Sequence, residues 1–184
     1  MSINLKKEQK FNFNLVKSEF INNVFMGIGW DPANEDDDVD LDASCVLLDA
    51  DNEVIEVIDF GNLTSEDESI EHLGDNLTGD GDGDDEVINV NLNELSEDVQ
   101  SLVFTITSFS GQSFEEINNC VARLVNADSG VEMCKYELNA IGDHTAVIMC
   151  RLSRQNGGWE FKALGIGTEG ESADDLTDEI EALN

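Results

Sequence analysis

The residues best suited to chemistry lie in one run, His72-Leu73-Gly74-Asp75-Asn76-Leu77-Thr78-Gly79-Asp80-Gly81-Asp82-Gly83-Asp84-Asp85-Glu86. Neighbouring carboxylates repel one another by on the order of 1 kcal/mol per close pair under water-like screening, and by more where they are partly buried. A folded loop of this composition therefore calls for a counter-cation. Its donors are hard oxygens: carboxylates, the Asn76 carbonyl, the Thr78 hydroxyl and backbone C=O groups. The one nitrogen donor nearby is His72, with no cysteine beside it, and this set favours Ca²⁺ over Zn²⁺ or Cu²⁺. Gly74, Gly79, Gly81 and Gly83 let the backbone turn its carbonyls inward around an ion.

A second acidic run, Trp30-Asp31-Pro32-Ala33-Asn34-Glu35-Asp36-Asp37-Asp38-Val39-Asp40-Leu41-Asp42-Ala43-Ser44, lies upstream. Asp38, Asp40 and Asp42 repeat with period two, so an extended strand would project all three from one side. Two runs imply two or more ions, or one composite site. Together they hold more oxygens than the ~6–8 that one calcium uses, which predicts at least two ions. Neither run is an EF-hand. Begun at Asp80, that template meets Asp85 where its glycine belongs; begun at Asp38, it meets Ala43 there and Asp49 where a glutamate belongs. Calcium held by loops between strands is the expectation.

The chain has 184 residues and a formal charge of −32, and 40% of its residues are hydrophobic. That apolar fraction supports a core in one domain rather than an acidic disordered chain. The charge repels phosphate backbones and anionic lipid headgroups, which argues against nucleic acid and against direct membrane binding unless calcium mediates it. Adaptation to high salt is the plain explanation of an acidic surface, but it would scatter the carboxylates rather than gather them among glycines. Cys45, Cys120, Cys134 and Cys150 form no C-x-x-C pair and no export leader is visible, so the expectation is reduced thiols in the cytoplasm, packed as ordinary core residues.

The elements that must position these runs are strands. Period-two patterns bounded by Asn, Asp and Gly cover residues 11–16, 23–29, 42–49, 53–60, 86–92, 101–108, 119–126, 132–138, 145–154 and 159–168. Turn signals at 49–52, 126–130 and 155–158 make successive strands antiparallel, and Asp49, Asp51 and Asp128 are read as turn residues. Helix is confined to short pieces after Ser113, within 92–99, and in the tail, where Leu176, Ile180 and Leu183 follow helical spacing. The fold class predicted is all-β: a two-sheet antiparallel β-sandwich with few short helices and the acidic loops gathered at one end. Residues 1–168 form the sandwich, and 169–184 form an acidic tail that either docks or stays solvated.

Several segments resemble the TerD family of bacterial tellurite-resistance and stress proteins. They are Gly27-Ile28-Gly29-Trp30-Asp31, Asp40-Leu41-Asp42-Ala43-Ser44, Phe60-Gly61-Asn62-Leu63, the run from His72 to Glu86, the stretch from Phe114 through Arg123-Leu124-Val125-Asn126, and Asn156-Gly157-Gly158-Trp159-Glu160-Phe161-Lys162-Ala163. The resemblance spans about residues 4–167. It implies a calcium-binding β-sandwich in the cytoplasm with a role in stress responses and no established catalysis. Carried over residue by residue, it implies metal positions at Asp31, Asp40 and Asp42 in the first run, with Asp38 a weaker member. In the second run it implies Asp75, Asn76, Thr78, Gly79, Asp84, Asp85 and Glu86. Residues 32–37 are more acidic than that pattern expects, and the tail after Gly170 runs past the pattern's usual end.

Three functions compete. In the first, a non-enzymatic calcium-binding module acts through ion-stabilised loops on other stress-response proteins. The second is a carboxylate-based hydrolase, disfavoured because neither His72 nor His144 sits in a nucleophile motif. The third is a calcium-dependent membrane or lipid adaptor. It is weakened by the apparent lack of exposed aromatic or basic residues beside the aspartates, since Trp30 reads as a core residue.

Overall fold

The computed structural model describes residues 21–31, 39–79, 81, 83–155 and 157–183, and the backbone of 10–12. Eleven strands are formed: β1 (Lys10–Asn12), β2 (Asn23–Asp31), β3 (Leu41–Leu48), β4 (Val54–Ile58), β5 (Ile70–His72), β6 (Glu86–Asn91), β7 (Ser101–Ser108), β8 (Asn118–Asn126), β9 (Val131–Glu137), β10 (Ala146–Gln155) and β11 (Gly158–Thr168). They build a six-stranded sheet, β1-β11-β10-β7-β3-β4, and a five-stranded sheet, β5-β6-β2-β8-β9. Every pairing within them is antiparallel.

The alternation read from sequence holds because one face of each strand enters a shared core. Met26, Ile28, Ile88 and Leu124 from one sheet meet Ala43, Cys45, Phe104 and Phe161 from the other. A register shift between Ile148 and Cys150 on β10 lets consecutive Met149 and Cys150 both join this core. The hairpin turns form where expected, with Asn52, Gly130 and Gly157 at positive φ. All four cysteines are free and buried. Burial pushes the Cys120 and Cys134 thiols up to about 12.

Strand β5 is absent from the sequence reading. Three residues are too few for a period to show, yet Ile70↔Val90, Glu71↔Asn89 and His72↔Ile88 pair along β6. Residues 92–99 form turns rather than a helix, although Leu92, Leu95 and Val99 are buried. The strand expected over 11–16 is described at Lys10–Asn12; 13–16 lie outside the described residues.

The outer face of the six-stranded sheet is covered too. β3 and β7 are buried along their whole length. The cover is the C-terminal tail, a 3-10 turn over Ala173–Leu176 followed by α1 (Thr177–Glu181). Ala173, Leu176 and Ile180 pack with Val46, Leu48, Val103, Ile148 and Leu164, so the acidic tail is docked. Asn52 Nδ2 donates to the last carbonyls of the tail, and Glu181 Oε1 accepts from Val54 N on edge strand β4 at 3.0 Å. Among the described residues, no helix is long and apolar enough to cross a membrane.

Candidate metal centre

Antiparallel pairing brings the two acidic runs to one pole. Leu41 at the start of β3 pairs with Ser108 at the end of β7, and Ile28 near the end of β2 pairs with Glu86 at the start of β6. There Asp40, Asp42 and Asp75 each present a carboxylate oxygen, and these oxygens lie within 4.8 Å of one another. Oxygens bound at ~2.3–2.6 Å to one calcium lie up to about 5 Å apart, so a single ion fits among them.

The electrostatics of the trio favour either a shared proton or a bound cation. Asp42 is 3% exposed, and its Oδ2, like Asp40 Oδ1, is buried with no hydrogen-bond partner. Burial, reinforced by the charges of Glu86, Asp40, Asp75 and Asp59, pushes the Asp42 carboxyl up to about 8. Burial with Asp75 and Glu86 likewise raises Asp40 to about 6. A buried acceptor without a donor costs about 1–3 kcal/mol, and more when charged. An ion removes that cost and reverses the repulsion.

Glu86 is the brace of the site. Buried at the start of β6, it accepts from Ala43 N at 2.8 Å through Oε2 and from Asn76 N at 3.1 Å through Oε1. It thus ties β3 to the loop bearing Asp75. His72 orients the same loop: its Nδ1 accepts from Gly74 N at 3.2 Å, which leaves the proton on Nε2, 3.4 Å from Glu86 Oε2. The Asn76 carbonyl, read as a donor to metal, accepts instead from Thr78 N at 3.1 Å and Gly79 N at 3.0 Å. This turn places Gly79, at φ +68, against Trp30, where a Cβ would come within 2.6 Å of the indole nitrogen. Trp30 is itself buried and donates through Nε1 to Val39 O at 2.9 Å.

The other candidates stand apart from the trio. Asp84 is held by Arg123 through Nε at 2.8 and 3.1 Å and Nη2 at 2.7 Å. Asp85 Oδ2 accepts from Trp30 N at 2.9 Å, and burial outweighs this bond to raise its carboxyl. Asp31 accepts from Asn119 Nδ2 at 2.6 Å. Asp31, Asp84 and Asp85, with Gly81 and Gly83, line a cavity of about 440 Å³ shared with Arg123 and Lys135. Asp38 lies outside the described residues. Asp49 and Asp128 are turn residues as read: Asp49 accepts from Asp51 N and Glu53 N, and Asp128 from Asn22 N and Asn23 N.

Two features escaped the sequence reading. Glycine at 27 and 29 is required by the acidic loop lying over the sheet, since a Cβ would meet Asp84 Oδ2 at 2.2 Å and Gly83 O at 2.4 Å respectively. Both glycines fall at alternate positions of a strand, a signal that another backbone approaches closely. The second feature corrects an expectation: apolar side chains do stand exposed beside the aspartates, namely Phe60, Leu63, Leu73, Leu77 and Phe109. Phe60 had read as the last residue of a strand over 53–60, but β4 stops at Ile58.

The TerD domain family matches residues 1–178, so the match runs into the tail. The chain is 42% identical over 174 residues to "Tellurium resistance protein TerZ" of Serratia marcescens, covering 89% of this chain and 90% of that one. It is 36% identical over 188 residues to "General stress protein 16U" of Bacillus subtilis (strain 168), covering 97% of each. A crystal structure of a homologue of telluride resistance protein (TerD) from Streptomyces coelicolor A3(2) superposes with a TM-score of 0.78 at 20% identity, over 86% of this chain and 97% of that one.

Proposed function

Because the chain belongs to the TerD family, we propose that it is a non-enzymatic, cytoplasmic calcium-binding protein of the tellurite-resistance and stress-response type, in which the bound ion completes a docking pole for partners. One observation carries the reading: the buried, unpartnered oxygens of Asp40 and Asp42 beside Asp75. Asp40, Asp42 and Asp75 hold the first ion. Glu86 and His72 hold the loop, and Asp31 and Asp85 are the donors left for a second ion in the adjoining cavity. Calcium supplies charge neutralisation and loop order here. The printed names of the relatives, tellurium resistance and general stress, give the stress-response context.

A catalytic role draws little support from the site. The buried thiols are held protonated, and His72 and His144 each face a carboxylate, Glu86 and Glu169, rather than a hydroxyl or thiol. The test is a pair of thermal melts at matched ionic strength, one in excess chelator and one in millimolar calcium. An ion that binds only the folded state adds about 2.7 kcal/mol at one hundred times Kd. For a domain of this size that raises Tm by roughly 5–11 °C. Superimposable curves overturn the reading.

A further inference from the structure

Three turns at the carboxylate pole carry apolar side chains at their tips, where turns ordinarily carry polar ones. In the turn after β4, Asp59 Oδ1 accepts from Gly61 N at 2.8 Å and from Asn62 N at 2.9 Å, and Phe60 projects from it, 39% exposed. In the loop after β5, Asn76 closes a turn onto Gly79, and Leu77 stands exposed at its tip. In the turn after β7, Gly111 N donates to Ser108 O at 3.1 Å, while Phe109 N donates to Asp40 O at 3.0 Å and Ser110 Oγ accepts from Asp40 N at 2.9 Å. Phe109 is exposed and meets Phe60 edge to face, with ring centroids 6.0 Å apart. Exposed Leu63 and Leu73 adjoin them, linked through the bond from His72 N to Leu63 O at 2.8 Å. Five of the seven large apolar side chains exposed among the described residues thus gather at this pole. Single exposed residues are ordinary, whereas a gathered set with a ring pair marks an interaction surface.

We propose that this pole docks a basic, amphipathic segment of another protein. The apolar side chains of that segment seat on Phe60, Phe109, Leu63, Leu73 and Leu77, and its lysines or arginines face the carboxylates among them. The inference rests on the docking reading above and deepens it by naming the partner's chemistry. The sign of the charge selects the occupant. Exposed Glu71 and Asp75 alternate with Leu73 and Leu77 along one stretch of chain, and Asp59 precedes Phe60. Loops 59–64, 73–79 and 109–112 contain no Lys, Arg or His. A calcium on Asp40, Asp42 and Asp75 leaves the trio anionic, since three carboxylates outweigh one divalent ion. Anionic lipid, nucleic acid and a second copy of a chain of charge −32 are therefore repelled. An uncharged apolar partner would bury Asp59 and Asp75 with no counter-charge, which is costly. A basic helix with an apolar stripe meets both parts of the surface at once. The turn bearing Leu77 is pinned before binding, because Asn76 N donates to Glu86 Oε1 and Gly79 packs against Trp30. Little ordering cost is then left to association.

The probes are synthetic peptides of lysine and leucine: one with its leucines at helical spacing on one face, one of the same composition with them dispersed, and a third with glutamate in place of lysine. Binding to the full chain in millimolar calcium is read by fluorescence anisotropy, and calcium uptake is measured in parallel by calorimetry. The amphipathic lysine peptide is expected to bind on the order of tenfold more tightly than the dispersed one, and the glutamate peptide not at all. Leu73→Ser/Leu77→Ser and Phe60→Ser/Phe109→Ser are each expected to weaken the amphipathic peptide on the order of tenfold and to leave the dispersed peptide unchanged. Val131→Ser, which alters a residue 47% exposed at the opposite pole, is expected to change neither. Equal affinity for the two lysine peptides, or serine variants that bind as the wild type does, overturns the proposal and leaves diffuse attraction to an acidic surface. Flotation of the chain with phosphatidylglycerol vesicles in calcium, abolished in the serine variants, overturns it in favour of a membrane. Absence of calcium uptake overturns the calcium reading alone, and the same peptide comparisons then decide this inference.

Discussion

Replacing Asp42 by asparagine should stabilise the protein in chelator and destabilise it in calcium. Asp42 is buried among Glu86, Asp40 and Asp75, which together with burial carry its carboxyl from 3.8 to about 8. The folded state thus holds this proton more tightly than the unfolded chain. The resulting cost is absent below about pH 4, grows by about 1.4 kcal/mol per pH unit, and levels off above about pH 8 at on the order of 5 kcal/mol. Asparagine keeps the shape and removes the charge, but leaves a buried amide short of partners at about 1–3 kcal/mol. The net gain in chelator at pH 8 is about 2–4 kcal/mol, a rise in Tm of roughly 5–15 °C; it falls to zero between about pH 5 and pH 6 and becomes a loss of about 1–3 kcal/mol near pH 4, where only the amide cost is left. In saturating calcium the order reverses, because the variant has lost a ligand charge and the linkage stabilisation that accompanies it. Thermal melts of both proteins across pH 4–8 in each condition check this. A variant no more stable than wild type in chelator at pH 8, or one whose rank is the same with and without calcium, refutes the reasoning.

Arg123→Ala should cost about 1–3 kcal/mol in urea unfolding, since it strands the Asp84 carboxylate, whose side chain is 12% exposed, and removes the guanidinium from over Phe25. Gly29→Ala should cost at least about 2 kcal/mol and weaken calcium binding, because its Cβ would meet the Gly83 carbonyl at 2.4 Å. Gly61→Ala, whose Cβ meets only Asp59 Oδ1 at 3.3 Å, should fall within about 1 kcal/mol of wild type by the same measurement. Ile180→Ala should destabilise by about 2–4 kcal/mol with calcium affinity unchanged, as the side chain is fully buried on the sheet face remote from the site.

Much of this fold was legible because period two is enforced wherever one strand face meets a core. Ten of the strand patterns have counterparts, and the pole is set by antiparallel order alone. What was hidden is non-local or short. The three residues of β5 carry no period, yet they place His72 against Glu86. The continuous burial of β3 from Leu41 to Leu48 shows that a second face is covered, but it does not identify the tail as the cover. Within the site, Asp40, Asp42 and Asp75 were legible as a ligand row and a glycine-flanked carboxylate. Asp84 reads the same way by composition, and only the sheet register reveals that Arg123, distant in sequence, claims it. Asn76 was legible as an oxygen donor, but its closure of the turn at Gly79 depends on backbone geometry that composition does not carry.

The central claim is a calcium site at Asp40, Asp42 and Asp75, and calorimetric titration with calcium in competing magnesium tests it most directly on four proteins. These are the wild type, Asp42→Ala, Asp75→Ala and Asp128→Ala, the last of which removes a turn carboxylate that bonds Asn22 N and Asn23 N at the opposite pole. The account predicts saturable calcium binding by the wild type, retained in Asp128→Ala and weakened on the order of tenfold or more in Asp42→Ala and Asp75→Ala. Equal isotherms for all four proteins would contradict it, leaving diffuse attraction to a charge of −32 in place of a built site.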